Sequence, residues 1–414
     1  MWPVERTLRI LLCEGSSTSA REAVTALGMQ GHRIDICDPD LHCISRFSRF
    51  VDRLHRCPAL GTDPIGYVSF VLSLVSRERF DVLLPIHEQG LALAAVRDEL
   101  ARHVAVALPE FKAYERAHDK AAFSSLLKDL GLPQPRTQIC TSEQARAVGE
   151  FPIVVKSAVG TASRGVWLVS TVAQLERALA ELEQDNACAE RVLVQEFVEA
   201  PTEHAQAVFQ HGHLLGMHAN RQIARGAGGG DAIKESVSRP QVREHLARIG
   251  AALRWHGALS VDYLLRNDEP LYIDCNPRLV EPMSAVLAGN DLLSAVLRVS
   301  MGQQSHTMPS SQAGVRTHLA LQALLGCAVR TRSRTELAKE CRRLALRRGP
   351  YAGSREELTP LRWDWPSVIP LWGAAVWLSV NPSAAEDMYR RGWGRHLLTP
   401  AGIRSIRETF VGRG

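Results

Sequence analysis

Two short apolar runs that carry oxygen-bearing side chains constrain the fold of this chain most strongly. The first run, 259–263, contains Asp262, and the second leads through Asp274 and Asn276 to Arg278. Side chains alternate between the two faces of a strand, so Asp274, Asn276 and Arg278 share one face. The sequence therefore predicts two neighbouring strands that bring two carboxylates, an amide oxygen and a guanidinium close together.

These groups have the chemistry of a site for a metal ion and an anion. Carboxylate and amide oxygens are hard ligands that suit Mg²⁺, with Mn²⁺ as the alternative, and Mg²⁺ takes further ligands from substrate phosphates. A guanidinium binds a carboxylate or phosphoryl group through two parallel N–H bonds. Asp, Asn and Pro also favour turns, so an ordinary turn after the second strand is the other interpretation.

A loop rich in small residues follows an apolar run upstream. Residues 151–156 end in a lysine, and residues 166–170 form a second apolar run. Small residues between the two runs allow backbone N–H groups to approach phosphate oxygens and allow the loop to close as a lid. The alternative is a hairpin tip without a ligand. The residues predicted to contact phosphate are Lys156, Gly160, Thr161, Ser163, Arg164 and Gly165.

The next apolar run, 191–199, has the features of a hinge that holds an adenine. An adenine ring needs a backbone N–H and C=O at its edge and apolar walls around it. Glu196, Phe197 and Val198, where the strand ends, can supply both. Glu203, a few residues further on, is predicted to accept hydrogen bonds from ribose hydroxyls.

In this order, the elements resemble the ATP-grasp superfamily, and most closely its biotin-carboxylase and carbamoyl-phosphate-synthase-like branch of carboxylate–amine ligases. The resemblance covers about residues 5–300, and its specificity lies in the order and spacing of several weak elements. Those elements are Lys120, Lys156 with its loop, residues 195–198, Glu203, Lys234, Asp262 and residues 274–278.

The resemblance implies a role for each matching position. Lys120 and Lys156 would contact the phosphates of ATP, and Gln195 would face the adenine amino group. Lys234 would help to bind the transferred phosphate or the substrate. Arg278 would steady the acyl phosphate or the carboxylate, and Asp262, Asp274 and Asn276 would hold Mg²⁺.

Three features depart from the pattern of the family. Position 274 is Asp where Glu is usual, which leaves open whether one or two metal ions bind. Position 262 is also Asp, where biotin carboxylases have Glu. Glu281 comes one residue earlier than the corresponding glutamate of biotin carboxylases, and no biotin-carrier lysine motif follows. Bicarbonate–biotin chemistry is therefore less expected.

The resemblance implies an ATP- and Mg²⁺-dependent ligase that activates a carboxylate as an acyl phosphate, joins it to an amine, and releases ADP and phosphate. Glu281 is a candidate for the base, and Arg221, Arg225 and Glu88 are candidate substrate contacts, with solvated or structural positions as the alternative for each. Two other functions stay open: a non-catalytic nucleotide-binding module and a bicarbonate-activating, carboxylase-type enzyme. The sequence leaves the acid and the amine unidentified.

Apolar runs that alternate with a helical segment predict an α/β fold. Runs at 8–13, 32–37, 80–85 and 104–108, with a helix at 20–29, indicate a doubly wound parallel sheet. Residues 1–112 are thus predicted to form a Rossmann-like pre-ATP-grasp domain. Residues 113–304 would form the ATP-grasp domain of two α+β subdomains, with a lid at about 137–194, and residues 305–414 a C-terminal extension of helical and aromatic character.

The role of the C-terminal extension is open. It contains a helix predicted at 314–329, a basic cluster at 330–348 and five of the eight tryptophans. The cluster is interpreted as a solvated helix face, and the tryptophans as a small aromatic core that docks on the ligase. A binding platform or attachment to a membrane surface through residues 365–380 is the alternative.

The composition indicates which kinds of binding partner and which cellular compartment to expect. A net charge of +5 over 414 residues gives no reason to expect a nucleic-acid partner. Nine cysteines without a C-x-x-C pair fit reduced thiols in the cytoplasm. No run reaches the ~18 apolar residues that a membrane-spanning helix needs. The expected partners are small-molecule carboxylates and amines, and a homodimer is an open alternative to the monomer.

Overall fold

The computed structural model describes residues 6–160, 165–184, 191–304, 306–358, 363–393 and 395–412. These residues form three β-sheets surrounded by helices. The prediction of an α/β fold is confirmed. Thr161, Ser163 and Arg164, which were predicted to contact phosphate, lie outside the described residues.

The N-terminal region is a parallel sheet with the strand order β3-β2-β1-β4. The side chain of Ser17 accepts a hydrogen bond from the backbone N–H of Ala20 and so caps the first helix. Three of the four predicted strands are present, and the run at 104–108 contributes only a single bridge between Ala105 and Val82. The elements are β1 (Arg9–Leu12), α1 (Thr18–Met29), β2 (Arg33–Asp38), a 3₁₀ turn (Ile44–Phe47), β3 (Val51–Arg56), α2 (Pro64–Arg77), β4 (Val82–Leu84), α3 (Gln89–Ala94) and α4 (Arg97–Leu100).

A second, antiparallel sheet corresponds to the predicted lid. Its strand order is β5-β8-β6-β7, and it has a hydrophobic core of its own against α8. Two helices lead into it, and Asp119 caps the second of them, so that Lys120 begins that helix. The elements are α5 (Phe111–His118), α6 (Lys120–Asp129), β5 (Thr137–Cys140), α7 (Ser142–Ala145), β6 (Ile153–Ser157), β7 (Val166–Val169), α8 (Val172–Glu183) and β8 (Val192–Glu196).

The largest sheet has seven strands in the order β13-β12-β9-β10-β11-β14-β15. Its hydrophobic core is shared with the N-terminal region, because residues from both pack in the same two clusters. The elements up to residue 300 are β9 (Thr202–Gln210), β10 (His213–Arg225), β11 (Asp231–Val237), α9 (Pro240–Leu253), β12 (Gly257–Arg266), β13 (Glu269–Asn276), α10 (Met283–Leu287) and α11 (Leu292–Ser300).

The region after residue 305, predicted as a C-terminal extension, packs against both other regions. Its two short strands complete the seven-stranded sheet, and β14 pairs directly with β11. Asp364 also forms a buried ion pair with Arg21 of the N-terminal region at 2.7 Å. The elements are β14 (Arg316–His318), α12 (Ala320–Thr331), α13 (Arg334–Leu346), a 3₁₀ turn (Gly349–Tyr351), β15 (Arg355–Glu356), a 3₁₀ turn (Trp365–Ser367), α14 (Val368–Val380), α15 (Ala384–Trp393), α16 (Pro400–Ile406) and a π turn (Arg407–Val411).

The preferred interpretation of the C-terminal tryptophans was wrong. Trp363, Trp365, Trp372 and Trp377 expose between 50% and 71% of their surface, so they do not form a buried aromatic core. The helix that carries two of them, α14, spans 13 residues. Within the described ranges, no helix combines the length and the apolar character needed to cross a bilayer.

Candidate active site

A cavity of about 660 Å³ lies between the lid sheet and the seven-stranded sheet. The lid contributes β6, β7 and the hinge after β8, and the large sheet contributes the faces of β9 to β13. Most of the predicted site residues line it: Lys120, Lys156, Gly160, Gln195, Glu196, Phe197, Val198, Arg225, Lys234, Asp262, Asp274, Asn276, Arg278 and Glu281.

The three predicted metal ligands lie together in the wall of this cavity. Asp262 and Asp274 are directly opposite each other on β12 and β13, and Ser260 is opposite Asn276. The side-chain amide of Asn276 donates to Asp262 Oδ2 at 3.2 Å. Each aspartate side chain is about one quarter exposed, towards the cavity. Antiparallel pairing of the two strands thus brings the oxygen ligands together as the sequence predicted.

This donor set fits Mg²⁺. It consists of two carboxylates and an amide oxygen, with no sulfur ligand among them. Arg278 Nη1 donates to Asn276 Oδ1 at 2.6 Å, which orients the amide so that its oxygen lies next to the guanidinium. Asp262, Asp274 and Asn276 would therefore hold the ion with Arg278 beside it.

Two lysines place positive charge next to the carboxylates. Lys120 Nζ donates to both oxygens of Asp274, at 2.9 and 3.0 Å, and to the carbonyl of Gly160 at 2.7 Å. Lys156 Nζ donates to the carbonyl of Ile273 at 2.9 Å. Burial lowers the pKa of Lys156 to about 8, with a smaller contribution from Lys120, although Asp274 opposes the shift. An anion in the cavity would stabilise the charged form of both lysines.

The hinge between the lid and the large sheet has both polar and apolar groups facing the cavity. Gln195 donates to the hydroxyl of Thr137 at 2.8 Å, which fixes its side chain within the lid. Phe197 is 39% exposed and Val198 is buried, so the hinge offers an apolar wall. Glu196 pairs with Arg266 of β12 at 3.0 Å and so ties the hinge to the large sheet.

Lys234, at the far end of the cavity, lies against the carboxyl groups of Glu281, which lines the cavity, and of Glu357 and Glu22, which are buried behind it. Lys234 forms ion pairs with Glu281 and, at 3.1 Å, with Glu357. Burial opposes its charge, but Glu281, Glu357 and Glu22 together raise the pKa of Lys234 well above its usual value. One ammonium cannot balance three buried carboxylates. Burial accordingly raises the pKa of Glu357 to about 7 and that of Glu22 well above its ordinary range.

Arg278 lies between the two ends of the cavity. Its Nη2 lies 3.3 Å from Nε2 of His87. Burial, and then the charge of Arg278, lower the pKa of His87 well below its usual value. The imidazole is therefore neutral and accepts a hydrogen bond from the guanidinium, which helps to fix the position of Arg278 at the cavity wall.

A comparison with known families agrees with this geometry: residues 117–282 match the family described as the ATP-grasp domain. The chain has an ATP-grasp domain. Enzymes with this domain use ATP and Mg²⁺, so the predicted cofactors are confirmed. The match lies within the predicted limits of 113–304 and includes all three predicted metal ligands.

Curated relatives belong to the branch that the sequence indicated. A stretch of 252 residues is 27% identical to the carbamoyl phosphate synthase large chain of Rubrobacter xylanophilus, over 56% of this chain and 24% of the relative. The corresponding protein of Thermus thermophilus is 24% identical over 311 residues, 67% of this chain and 28% of the relative. The chain spans about a quarter of the length of these relatives.

Solved structures share the ATP-grasp fold. A biotin carboxylase from Campylobacter jejuni superposes with a TM-score of 0.57 at 18% identity, over 75% of this chain and 74% of the other. An L-amino acid ligase from Bacillus licheniformis gives a TM-score of 0.55 at 16% identity, over 73% and 76%. At such low identity the similarity establishes the fold.

The predicted ribose contact of the ATP-grasp site was wrong. Glu203 is fully buried and accepts hydrogen bonds from Arg239, at 2.6 and 2.7 Å, and from the hydroxyl of Tyr263 at 3.0 Å. Alternation along β9 turns Thr202 and His204 towards the cavity and Glu203 away from it. Glu199, in the hinge, is exposed and lines the cavity, and it replaces Glu203 as the candidate for the ribose.

Two predicted substrate contacts also lie elsewhere. Arg221 forms an ion pair with Glu235 at 3.0 Å on the face of β10 and β11 that points away from the cavity. Glu88 accepts a hydrogen bond from the backbone N–H of Leu398 and lines a separate small cavity behind Arg278. Both predictions were wrong, because an isolated charge in the sequence does not reveal its partner.

Arg225 and Gly165 retain places near the ATP-grasp site. Arg225 lines the cavity and donates to the side chain of Gln222 at 3.0 Å. The carbonyl of Gly165 accepts a hydrogen bond from the backbone of Ser157 at 2.8 Å, which closes the base of the lid loop.

Three further residues escaped the sequence interpretation. His204 lies between Asp262, at 2.7 Å, and Asp231, at 3.4 Å. Burial would lower the pKa of His204, but Asp231 and Asp262 raise it well above its usual value, so it is a cation beside the metal site. Glu22 and Glu357 come from opposite ends of the chain. His204 could have been predicted from the sequence only through its spacing of two residues from Thr202, which places both side chains on the same face of β9. No neighbouring residues in the sequence indicate that Glu22 and Glu357 lie near the site.

Proposed function

We propose that the protein is an ATP- and Mg²⁺-dependent ligase that converts a carboxylate to an acyl phosphate and joins it to an amine. The observation that carries this proposal is one cavity that brings together two lysines, a cluster of two carboxylates and an amide oxygen, an arginine, and a paired lysine and glutamate. Its key residues are Lys120, Lys156, Asp262, Asp274, Asn276, Arg278, Lys234 and Glu281.

In the first step, the residues of the nucleotide end position and neutralise the triphosphate. Lys120 and Lys156 supply two ammonium groups, and the hinge around Phe197 supplies the wall for the adenine. Mg²⁺ at this site would neutralise charge on the transferred phosphoryl group. Arg278 holds the acid so that a carboxylate oxygen attacks the γ-phosphorus, which gives an acyl phosphate and ADP.

In the second step, the amine attacks the activated acid. The carboxylate of Glu281 lines the cavity and would attract the amine in its ammonium form. Glu281 is also the candidate base that takes one proton from the ammonium group, which frees the lone pair of the nitrogen for attack, and the second proton leaves with the phosphate. A C–N bond then forms at the acyl carbon as the C–O bond to phosphate breaks, and inorganic phosphate leaves. The lid protects the acyl phosphate from water.

The similarities support a ligase of this kind. One structural neighbour is an L-amino acid ligase, and the curated relatives are carbamoyl phosphate synthase large chains. Both names describe enzymes that form C–N bonds or carbamoyl groups. The acid and the amine that this chain would join are a matter for experiment.

The test is a product screen. The protein is incubated with ATP, Mg²⁺ and pools of carboxylic acids and amino acids, and ADP release and new masses are measured. ADP release that depends on both an acid and an amine, with a product lighter by one water than their sum, supports the proposal. Turnover stimulated by bicarbonate alone supports a carboxylase-type activity, and no turnover across broad pools supports a nucleotide-binding module.

A matched pair of variants connects turnover to the site. Asp274→Asn and Asp262→Asn each remove a negative charge from the candidate metal site, and each is expected to lower turnover by about 10²–10³-fold. Asp268→Asn makes the same change at the exposed turn of the same hairpin and should leave turnover within about twofold of the unmodified protein. Equal activity of all three variants would contradict the assignment of the site.

A further inference from the structure

A patch of large apolar side chains lies exposed on the C-terminal region. Seven of the sixteen exposed large hydrophobic residues in the described part of the chain fall between 363 and 380. The most exposed are Trp372 at 71%, Trp365 at 68% and Val376 at 64%. Single exposed apolar residues are ordinary, but a cluster of this kind marks a surface that another body covers.

The patch follows the outer side of α14. Leu378 is buried against α12 and α13, and Leu371 and Ala375 pack at the edge of the same cluster; Ala374 is also buried. The outer side, in contrast, is formed by Ile369, Trp372, Val376, Trp377 and Val380. The helix is therefore apolar on all sides, a pattern found where both faces of a helix are removed from water.

Strong positive charge lies directly beside this patch. Residues 330–348 contain eight Lys or Arg and two Asp or Glu, a net charge of +6, whereas the whole chain has +5. Helix α13, within this segment, packs against α14, and Arg334 donates to the carbonyl of Val380 at the end of α14. Arg342, Arg347 and Arg348 are exposed, and in the described part of the chain no ion pair engages them.

From this combination we infer that α14 and α13 form a docking surface for an anionic phospholipid bilayer. Tryptophan and aliphatic side chains enter the boundary between head groups and acyl chains, and neighbouring arginines bind acidic head groups. The charge is complementary to an anionic lipid surface. A second copy of the chain fits less well, because a two-fold interface would bring two segments of +6 together.

The geometry favours binding to the surface of a bilayer. Helix α14 has 13 residues, which makes it about 20 Å long, and a spanning helix must cross about 30 Å of hydrocarbon. Its inner side is also packed against the protein. The helix would thus lie parallel to the membrane, with its tryptophans at the level of the head groups.

The test is sedimentation of the full chain with vesicles. One set of vesicles contains phosphatidylcholine alone, and the other contains equal parts of phosphatidylcholine and phosphatidylglycerol. We expect binding to the mixed vesicles with an affinity about tenfold or more above that for phosphatidylcholine alone. We also expect quenching of tryptophan fluorescence by lipids with brominated acyl chains, which reports contact between the rings and the bilayer.

Two variants separate the apolar and the charged contributions. Trp372→Ser/Val376→Ser should lower binding by about tenfold or more and reduce the quenching. Arg342→Gln/Arg347→Gln/Arg348→Gln should remove the preference for phosphatidylglycerol. Val172→Ser is the control, since this valine is 59% exposed on the lid and far in sequence from the patch, and it should bind like the unmodified protein.

Three outcomes would overturn the inference. The intact protein could fail to sediment with the mixed vesicles. The tryptophan variant could bind as well as the control. Alternatively, sedimentation velocity could show a dimer that the tryptophan variant converts to a monomer, which would assign the patch to a second copy of the chain. All the substituted side chains are exposed, and an unchanged melting temperature verifies that each variant is folded.

Discussion

The two ends of the cavity use buried charge in opposite ways. At the nucleotide end, Lys120 and Lys156 lie beside Asp274, and each cation contacts an acidic or carbonyl oxygen. At the far end, Lys234 alone faces Glu22, Glu281 and Glu357. The first end has paired charges and would gain from a metal-bound anion, whereas at the second end burial raises the pKa of Glu22 and Glu357, so that these carboxyl groups retain protons that an exposed glutamate would lose. This difference favours our proposal that the first end binds phosphate and that Glu281, at the second end, receives the amine.

The two ends also differ in how the chain builds them. The metal ligands at the nucleotide end come from one hairpin, β12 and β13. The far end combines α1, the large sheet and the segment after β15, so the N-terminal and C-terminal regions meet there. Glu22 accepts a hydrogen bond from the backbone of Met283 at 2.8 Å, which links α1 to the segment that follows Glu281. The substrate end thus depends on the docking of all three regions.

The largest effect is expected from removal of a cation at the nucleotide end. Lys156→Met keeps the length of the side chain and removes its charge, and ATP turnover should fall by about 10²–10³-fold because the phosphoryl group loses a neutralising contact. Lys128→Met, at the exposed end of α6, is the control and should keep turnover within about twofold. If Lys156→Met turned over ATP at the normal rate, the assignment of the nucleotide end would be wrong.

The pH dependence of stability tests the buried carboxyl groups at the far end. Glu357 has a pKa raised to about 7 by burial, against 4.5 for the ordinary group. When pH rises from about 4.5 to 7, the unfolded chain releases this proton first, so the free energy of unfolding decreases, by on the order of 1–3 kcal/mol. Urea unfolding at pH 5 and pH 8 measures the change. The Glu357→Gln variant should show a smaller decrease in the free energy of unfolding between the two pH values. An equal decrease in the variant and in the unmodified protein would show that Glu357 does not cause it.

A smaller and more selective effect is expected on the KM for the amine substrate. Glu281→Gln removes the carboxylate that lines the cavity at this end, so KM for the amine identified in the screen should rise by about tenfold while KM for ATP stays within about twofold. Initial rates with each substrate varied in turn measure the two constants. A parallel rise in both constants would indicate that the two ends are not separate.

The sequence predicted the nucleotide end well because its signals are local. Alternation of side chains placed Asp274, Asn276 and Arg278 on one face, and pairing of the two runs brought Asp262 opposite Asp274. The far end gave no such signal. Glu357 follows a strand of two residues, too short to show any alternation, and Glu22 lies in a helix whose partner is more than 200 residues away.

Predictions failed where the sequence did not show which residues of a strand face the cavity and which face away from it. The hinge between β8 and β9 has no regular period, so the sequence could not determine whether Glu203 or one of its neighbours faces the cavity. For Arg221, alternation along β10 places Asn220 at the cavity and the arginine behind the sheet. A charged residue near a site is therefore informative only once the register of its strand is fixed.

The smallest effect on activity or binding is expected at Glu199, and a comparison of Glu199 with Glu203 separates ATP binding from stability. Glu199→Gln changes an exposed hinge residue, and we expect ATP affinity to decrease by about two- to fivefold without a change in melting temperature, because one hydrogen bond to the ribose is weakened. Glu203→Gln leaves Arg239 without its buried carboxylate and should instead lower stability by on the order of 2–4 kcal/mol. Because Glu203 faces away from the cavity, the folded fraction of that variant should bind ATP normally in calorimetry. If instead Glu203→Gln weakened ATP binding and Glu199→Gln lowered stability, Glu203 would be the ribose contact. The face of β9 that carries Glu203 would then point towards the nucleotide.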